Sequence, residues 1–126
     1  MNSLLLIALG GAGGAVSRHL VGGWALRIFG PNFPSGTLIV NVVGSFAMGL
    51  LIAWLAKRSA GDEPLRLLLA TGFLGGFTTF SAFSLDVAVL YERGAFTEAA
   101  IYVAASVLLS IAAVFVGLAT MRSVLG

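Results

Sequence analysis

Long apolar runs separated by short polar clusters make up the chain, and their lengths suit a bilayer better than a water-soluble core. Four such runs stand out, at about residues 4–29, 36–55, 65–91 and 97–121. A helix needs about 20 predominantly apolar residues to cross the hydrocarbon of a membrane, and each run is long enough. The breaks between them are local. Gly30, Pro31, Asn32, Phe33 and Pro34 close the first run, with two prolines that resist helix continuation. Lys57 and Arg58 end the second, Gly61, Asp62 and Glu63 fill the connection, and Pro64 suits the first turn of a third helix. Glu92, Arg93 and Gly94 make the next turn, with Gly94 placed as a helix C-cap, and Arg122 ends the fourth run. The pattern predicts an all-α integral membrane protein with four transmembrane helices in a single transmembrane domain, residues 1–126.

Composition strengthens that reading: 59% of residues are hydrophobic and 10% charged, with a mean hydropathy of +1.05. Such a chain is solvated by lipid. The absence of cysteine excludes disulfides, thiolate metal sites and thiol nucleophiles. A net charge of +2 is too small to suggest a nucleic-acid partner. The N-terminal stretch has an apolar run like that of a signal peptide but lacks a positively charged leader, so it reads as the first span. Lys57, Arg58, Arg66 and Arg122 fall on one side of the membrane and Arg27 and Arg93 on the other. Four against two is a weak orientation bias, one that permits insertion both ways and head-to-tail pairing. Gly10 with Gly14, Ser45 with Gly49 and Ala113 with Gly117 have the spacing of small residues that let membrane helices approach closely.

Polar side chains inside the runs carry the candidate chemistry. Thr37, Asn41 and Ser45 lie along one face of the second span, and Tyr102, Ser106 and Ser110 along one face of the fourth. Two such stripes suit a hydrated path or interhelical hydrogen bonds; a hydroxyl can also bond back to its own helix. An asparagine amide does so less easily, and the Asn41 NH₂ is a good donor for an anion. Arg18 lies deep in the first span, where it must snorkel, pair with a carboxylate such as Asp86, or face water and make a vestibule electropositive. His19 turns to a different face and reads as packing.

The third span holds the densest signal, T-G-F-L-G-G-F-T-T-F-S-A-F-S over residues 71–84. Gly72, Gly75, Gly76, Thr78 and Thr79 mark a helix break there. Unwound carbonyls at such a break are ready ligands for a hard cation, and the restarting half-helix offers N–H groups to anions. Phe80 and Phe83 point to nearly the same side, either packing or presenting electropositive ring edges to a small anion. The glycines at residues 10–14 fit neither a dinucleotide fingerprint nor a phosphate-binding loop, and no paired carboxylates, histidine cluster or nucleophile triad appears. The chain does not read as an enzyme.

The segments at residues 36–44, 72–84 and 102–110 resemble the CrcB/Fluc fluoride channels, and the similarity extends over all four spans. These are small bacterial, archaeal and lower-eukaryotic membrane proteins that export toxic cytoplasmic fluoride passively. The resemblance implies a multi-pass protein of the cell (inner) membrane and a dual-topology antiparallel homodimer with two fluoride pores. It also implies a structural sodium ion at the dimer centre, not transported, held by main-chain carbonyls that fall on Gly75 and Thr78. The pore residues fall on Asn41, Phe80 and Phe83, with a hydroxyl track at Ser81, Ser84, Ser106 and Ser110 and a vestibule arginine at Arg18. Ala82 and Val114 stand where many or some family members carry hydroxyl residues, which thins the track.

Fluoride is small and strongly hydrated, so a pore must replace its shell with donors and avoid a fixed positive charge that would trap it. The alternative is a small four-helix drug/proton exporter, which needs a carboxylate in its first span. The first span here has Arg18 and none. A non-transporting subunit of a larger assembly is the third reading.

Overall fold

The computed structural model describes residues 2–58 and 62–126, so Gly61 of the predicted connection lies outside the described residues. Helix α1 (Ser3–Phe29) is capped by the Asn2 side chain, which accepts from Leu4 N at 2.7 Å. It ends at Gly30, whose φ of 81° is a left-handed conformation that glycine adopts without a Cβ penalty. After the Pro31–Pro34 turn comes α2 (Ser35–Ala56). The third span, Glu63–Glu92, is a composite. It begins as α3 (Glu63–Arg66), with Pro64 in its first turn, and widens into a π-helical segment, π1 (Leu67–Leu74). One short turn, α4 (Gly75–Phe77), follows before the chain leaves the helical conformation. It restarts as α5 (Phe80–Glu92). Gly94, at φ 81°, turns the chain into α6 (Phe96–Leu125). Among the described residues, four helical spans are long and apolar enough to cross a membrane.

The break lies at Thr78 (φ −89°, ψ 158°) and Thr79 (φ −154°, ψ 124°), both extended. The glycines before it remain helical, which corrects their expected role as unwound residues. Gly72 and Gly76 are packing positions, because a Cβ on either would run into the α1 backbone at Gly10 or Gly11. From the other side, Gly10 and Gly14 let α1 close onto π1 and α4, where a Cβ would overlap the carbonyls of Leu68 and Phe73. Gly49 and Gly117 do the same between α2 and α6. Two helix pairs result, α1 on π1–α4 and α2 on α6, joined where backbone meets backbone with no side chain between.

Phe83, Leu90, Ala99 and Tyr102 form a buried cluster between α5 and α6, with Phe33 and Leu38 against it. Large apolar side chains such as Leu4, Val16, Leu108 and Phe115 are exposed. That is the natural outward surface of helices whose solvent is lipid.

Candidate functional site

The extended pair Thr78–Thr79 is held by a side chain from α2. Asn41 Nδ2 donates to Thr79 O at 3.0 Å, and Thr79 N donates back to Asn41 Oδ1 at 2.8 Å. The two bonds fix the orientation of the amide, since the Thr79 N–H needs an acceptor and its carbonyl a donor. Gly44, one turn along α2, makes room for this approach: a Cβ there would overlap the Thr78 methyl. The Thr79 hydroxyl caps α5 by accepting from Ala82 N at 3.1 Å. Thr78 N and Thr78 Oγ1 both return to Leu74 O, at 3.0 and 2.9 Å.

These bonds redirect the amides that a continuous helix would give to two carbonyls. In an α-helix the N–H of one residue bonds the carbonyl four residues earlier. Thr79 N would thus belong to Gly75 O and Ala82 N to Thr78 O, but Asn41 and the Thr79 hydroxyl accept them instead. The Gly75 and Thr78 carbonyls are left as strong oxygen donors at the break. Between them in sequence, Gly76 O is engaged by Arg18 Nε at 3.2 Å. Oxygen ligands of this kind suit a hard monovalent or divalent cation.

A groove of about 460 Å³ runs between α2, the break, α5 and α6. It brings together Asn41, Phe80, Phe83, Ser106 and Ser110, with Thr78 and Thr79 at its wall and Met48, Ile111 and Val114 among its apolar lining. The Ser106 and Ser110 hydroxyls are buried and have no hydrogen-bond partner among the described residues. The option of bonding back to their own helix is therefore not taken. Phe80 and Phe83 lie 5.4 Å apart with rings tilted by 49°. Phe83 is buried against Tyr102, whereas Phe80 is 76% exposed. Ser81 and Ser84 do not line this groove. They sit on another face of α5, exposed, with Ser84 Oγ donating to Phe80 O at 3.0 Å and Ser81 Oγ 3.3 Å from Thr79 Oγ1.

Arg18 lines a neighbouring cavity of about 200 Å³ with His19, Thr37 and Thr79. His19 thus shares the cavity with Arg18 and does not turn away from it. Arg18 bonds Gly76 O in the turn that precedes the break, while Asp86 is engaged elsewhere: Tyr102 Oη donates to Asp86 Oδ2 at 2.9 Å. Asp86 also borders a cavity of about 310 Å³ at the end of the bundle, with Thr37 and Arg93, where Arg93 Nη2 donates to Asn32 O at 2.7 Å. Arg93 lies outside the site that the sequence predicts, and Asp86 enters that prediction only as a carboxylate with which Arg18 could pair. The signal for Asp86 was present, as a carboxylate inside an apolar span, but its partner lies 16 residues away on another helix.

Residues 5–118 match the family model described as CrcB-like protein, Camphor Resistance (CrcB). The chain is 58% identical over 123 residues to a protein of Rhizobium etli named fluoride-specific ion channel FluC, covering 98% of each chain. It is 56% identical over 123 residues to a protein of Agrobacterium fabrum and 55% over 125 residues to one of a Caulobacter species, both with the same name and again at 98% of each chain.

Proposed function

Because this chain belongs to the CrcB family, we propose that it is a fluoride-selective channel that lowers cytoplasmic fluoride by passive export. It is a multi-pass membrane protein and not an enzyme, and in a bacterium its place is the inner membrane. The observation that carries the proposal is the groove, where one amide and two buried hydroxyls without a partner among the described residues share a wall with two phenylalanine rings. The second Nδ2–H of Asn41 and the hydroxyls of Ser106 and Ser110 are donors that can replace part of a fluoride ion's water shell. The ring edges of Phe80 and Phe83 add weak positive potential without a fixed charge. Arg18 makes the adjoining cavity attractive to anions and leaves the groove itself free of a full positive charge. Ser81 and Ser84 serve from the outward face of α5, where a second subunit would complete the track.

The functional unit in this reading is an antiparallel homodimer with two pores. The weak Lys/Arg bias permits insertion in both orientations. Gly75 is an exposed residue within the third span, and in hydrocarbon a carbonyl stripped of its helical donor must be met by protein or an ion. A sodium ion shared between two subunits would fit that requirement, and the Gly75 and Thr78 carbonyls of each subunit would be the groups to hold it. When bound, it supplies structural charge that ties the two breaks together and is not transported. The exporter alternative has no observation in its favour.

Purified protein reconstituted in liposomes is expected to dissipate a fluoride gradient and leave a chloride gradient standing. Comparable chloride flux would sink the selectivity claim.

A further inference from the structure

We infer that Asn41 is a positioning residue for the cation site: by clasping both backbone groups of Thr79, its amide keeps the Gly75 carbonyl free to ligate the ion. The inference rests on the cation reading proposed above and adds a role to a residue otherwise assigned only to the pore. In a continuous helix the Thr79 N–H would bond Gly75 O. Here it points to α2 and bonds Asn41 Oδ1 at 2.8 Å, while Asn41 Nδ2 returns to Thr79 O at 3.0 Å. The pair of bonds mimics the exchange between two residues of neighbouring antiparallel strands, and the extended backbone at Thr78 and Thr79 has the matching conformation.

Without a competing acceptor, an amide and a carbonyl so close in sequence have every reason to pair, since each is costly to leave unbonded away from water. The Asn41 clasp removes that option. Thr78 O is freed by a different device, the Thr79 hydroxyl that caps Ala82 N. Loss of Asn41 therefore takes away one of the two oxygens each subunit contributes and leaves the other. The same amide keeps one N–H for the groove, so a single side chain serves both the fluoride groove and the cation site, and Thr79 stands as the wall between the groove and the Arg18 cavity.

The test is sodium affinity, read without any flux. Full-length protein in detergent micelles is exchanged into N-methylglucamine chloride and titrated with sodium chloride at constant ionic strength. Binding is followed by radiosodium retention and by the rise of the thermal unfolding midpoint that a native-state ligand produces. Asn41→Ala is expected to need roughly 10- to 100-fold more sodium for half-saturation, the usual effect of removing a group that orients a metal ligand. Asn41→Asp keeps the acceptor for Thr79 N, and in its protonated form also donates to Thr79 O, so it is expected to bind sodium much as the wild type does. An unchanged half-saturation in Asn41→Ala, or a loss in Asn41→Asp as large as that in Asn41→Ala, overturns the inference. If Asn41→Ala does not fold, Asn41→Asp decides alone, and loss of sodium affinity in it is the overturning result. A wild-type protein that binds no sodium would overturn the cation reading itself, an outcome distinct from intact wild-type binding with an indifferent Asn41→Ala.

Discussion

Tyr102 and Asp86 form a hydrogen bond of 2.9 Å between α6 and α5, from a tyrosine with no exposed surface to a half-buried carboxylate. It is the polar fastening of the aromatic core that also holds Phe83. Removing the phenol oxygen leaves the carboxylate unpaired in the membrane-spanning region. Tyr102→Phe is therefore expected to lower stability by about 1–3 kcal/mol, seen as a lower thermal midpoint in detergent. Asp86→Asn keeps an acceptor for the phenol and is expected to cost less. Equal stability of Tyr102→Phe and wild type would show that the bond contributes nothing net.

Ser106 and Ser110 offer the opposite case, buried hydroxyls that no neighbour among the described residues satisfies. Since they bond nothing among the described residues, Ser106→Ala and Ser110→Ala should not weaken the fold. An unsatisfied buried hydroxyl is itself unfavourable, so the thermal midpoint should hold or rise. Fluoride flux should fall in each variant, by about tenfold or more, because a hydrogen bond to a charged group contributes roughly 1.5–3 kcal/mol. Liposome flux with parallel melting curves checks both halves, and a matched fall in stability and flux would return these serines to structural duty.

Phe80 and Phe83 are expected to separate in the same way. Phe83 is buried on Tyr102, whereas Phe80 is largely exposed. Phe80→Ile should reduce fluoride throughput with the fold intact. Phe83→Ile should reduce throughput and also destabilise the protein, by about 1–3 kcal/mol for the reshaped core. Normal flux in both variants would assign the rings to packing.

Much of this protein could be read from residue order alone. Span length and the Gly/Pro clusters dictate four membrane helices, because a bilayer of given thickness and the missing N–H of proline act locally. The density of glycine and hydroxyl at residues 71–84 marks a disturbed helix for the same local reason, and the character of Asn41, the phenylalanines and the serines is visible without coordinates. Which of these groups meet is set by packing across helices, where sequence spacing carries no information. Gly44 against Thr78 and Gly10 and Gly14 against π1 bring backbones close enough for Asn41 to take the Thr79 amide and Arg18 the Gly76 carbonyl. Only that approach confines the break to the two threonines and leaves the glycines helical, parts Ser81 and Ser84 from Ser106 and Ser110, and ties Asp86 to Tyr102 in place of Arg18. Hydrogen bonds reach about 3 Å, so their partners are decided by tertiary contact and not by the order of residues.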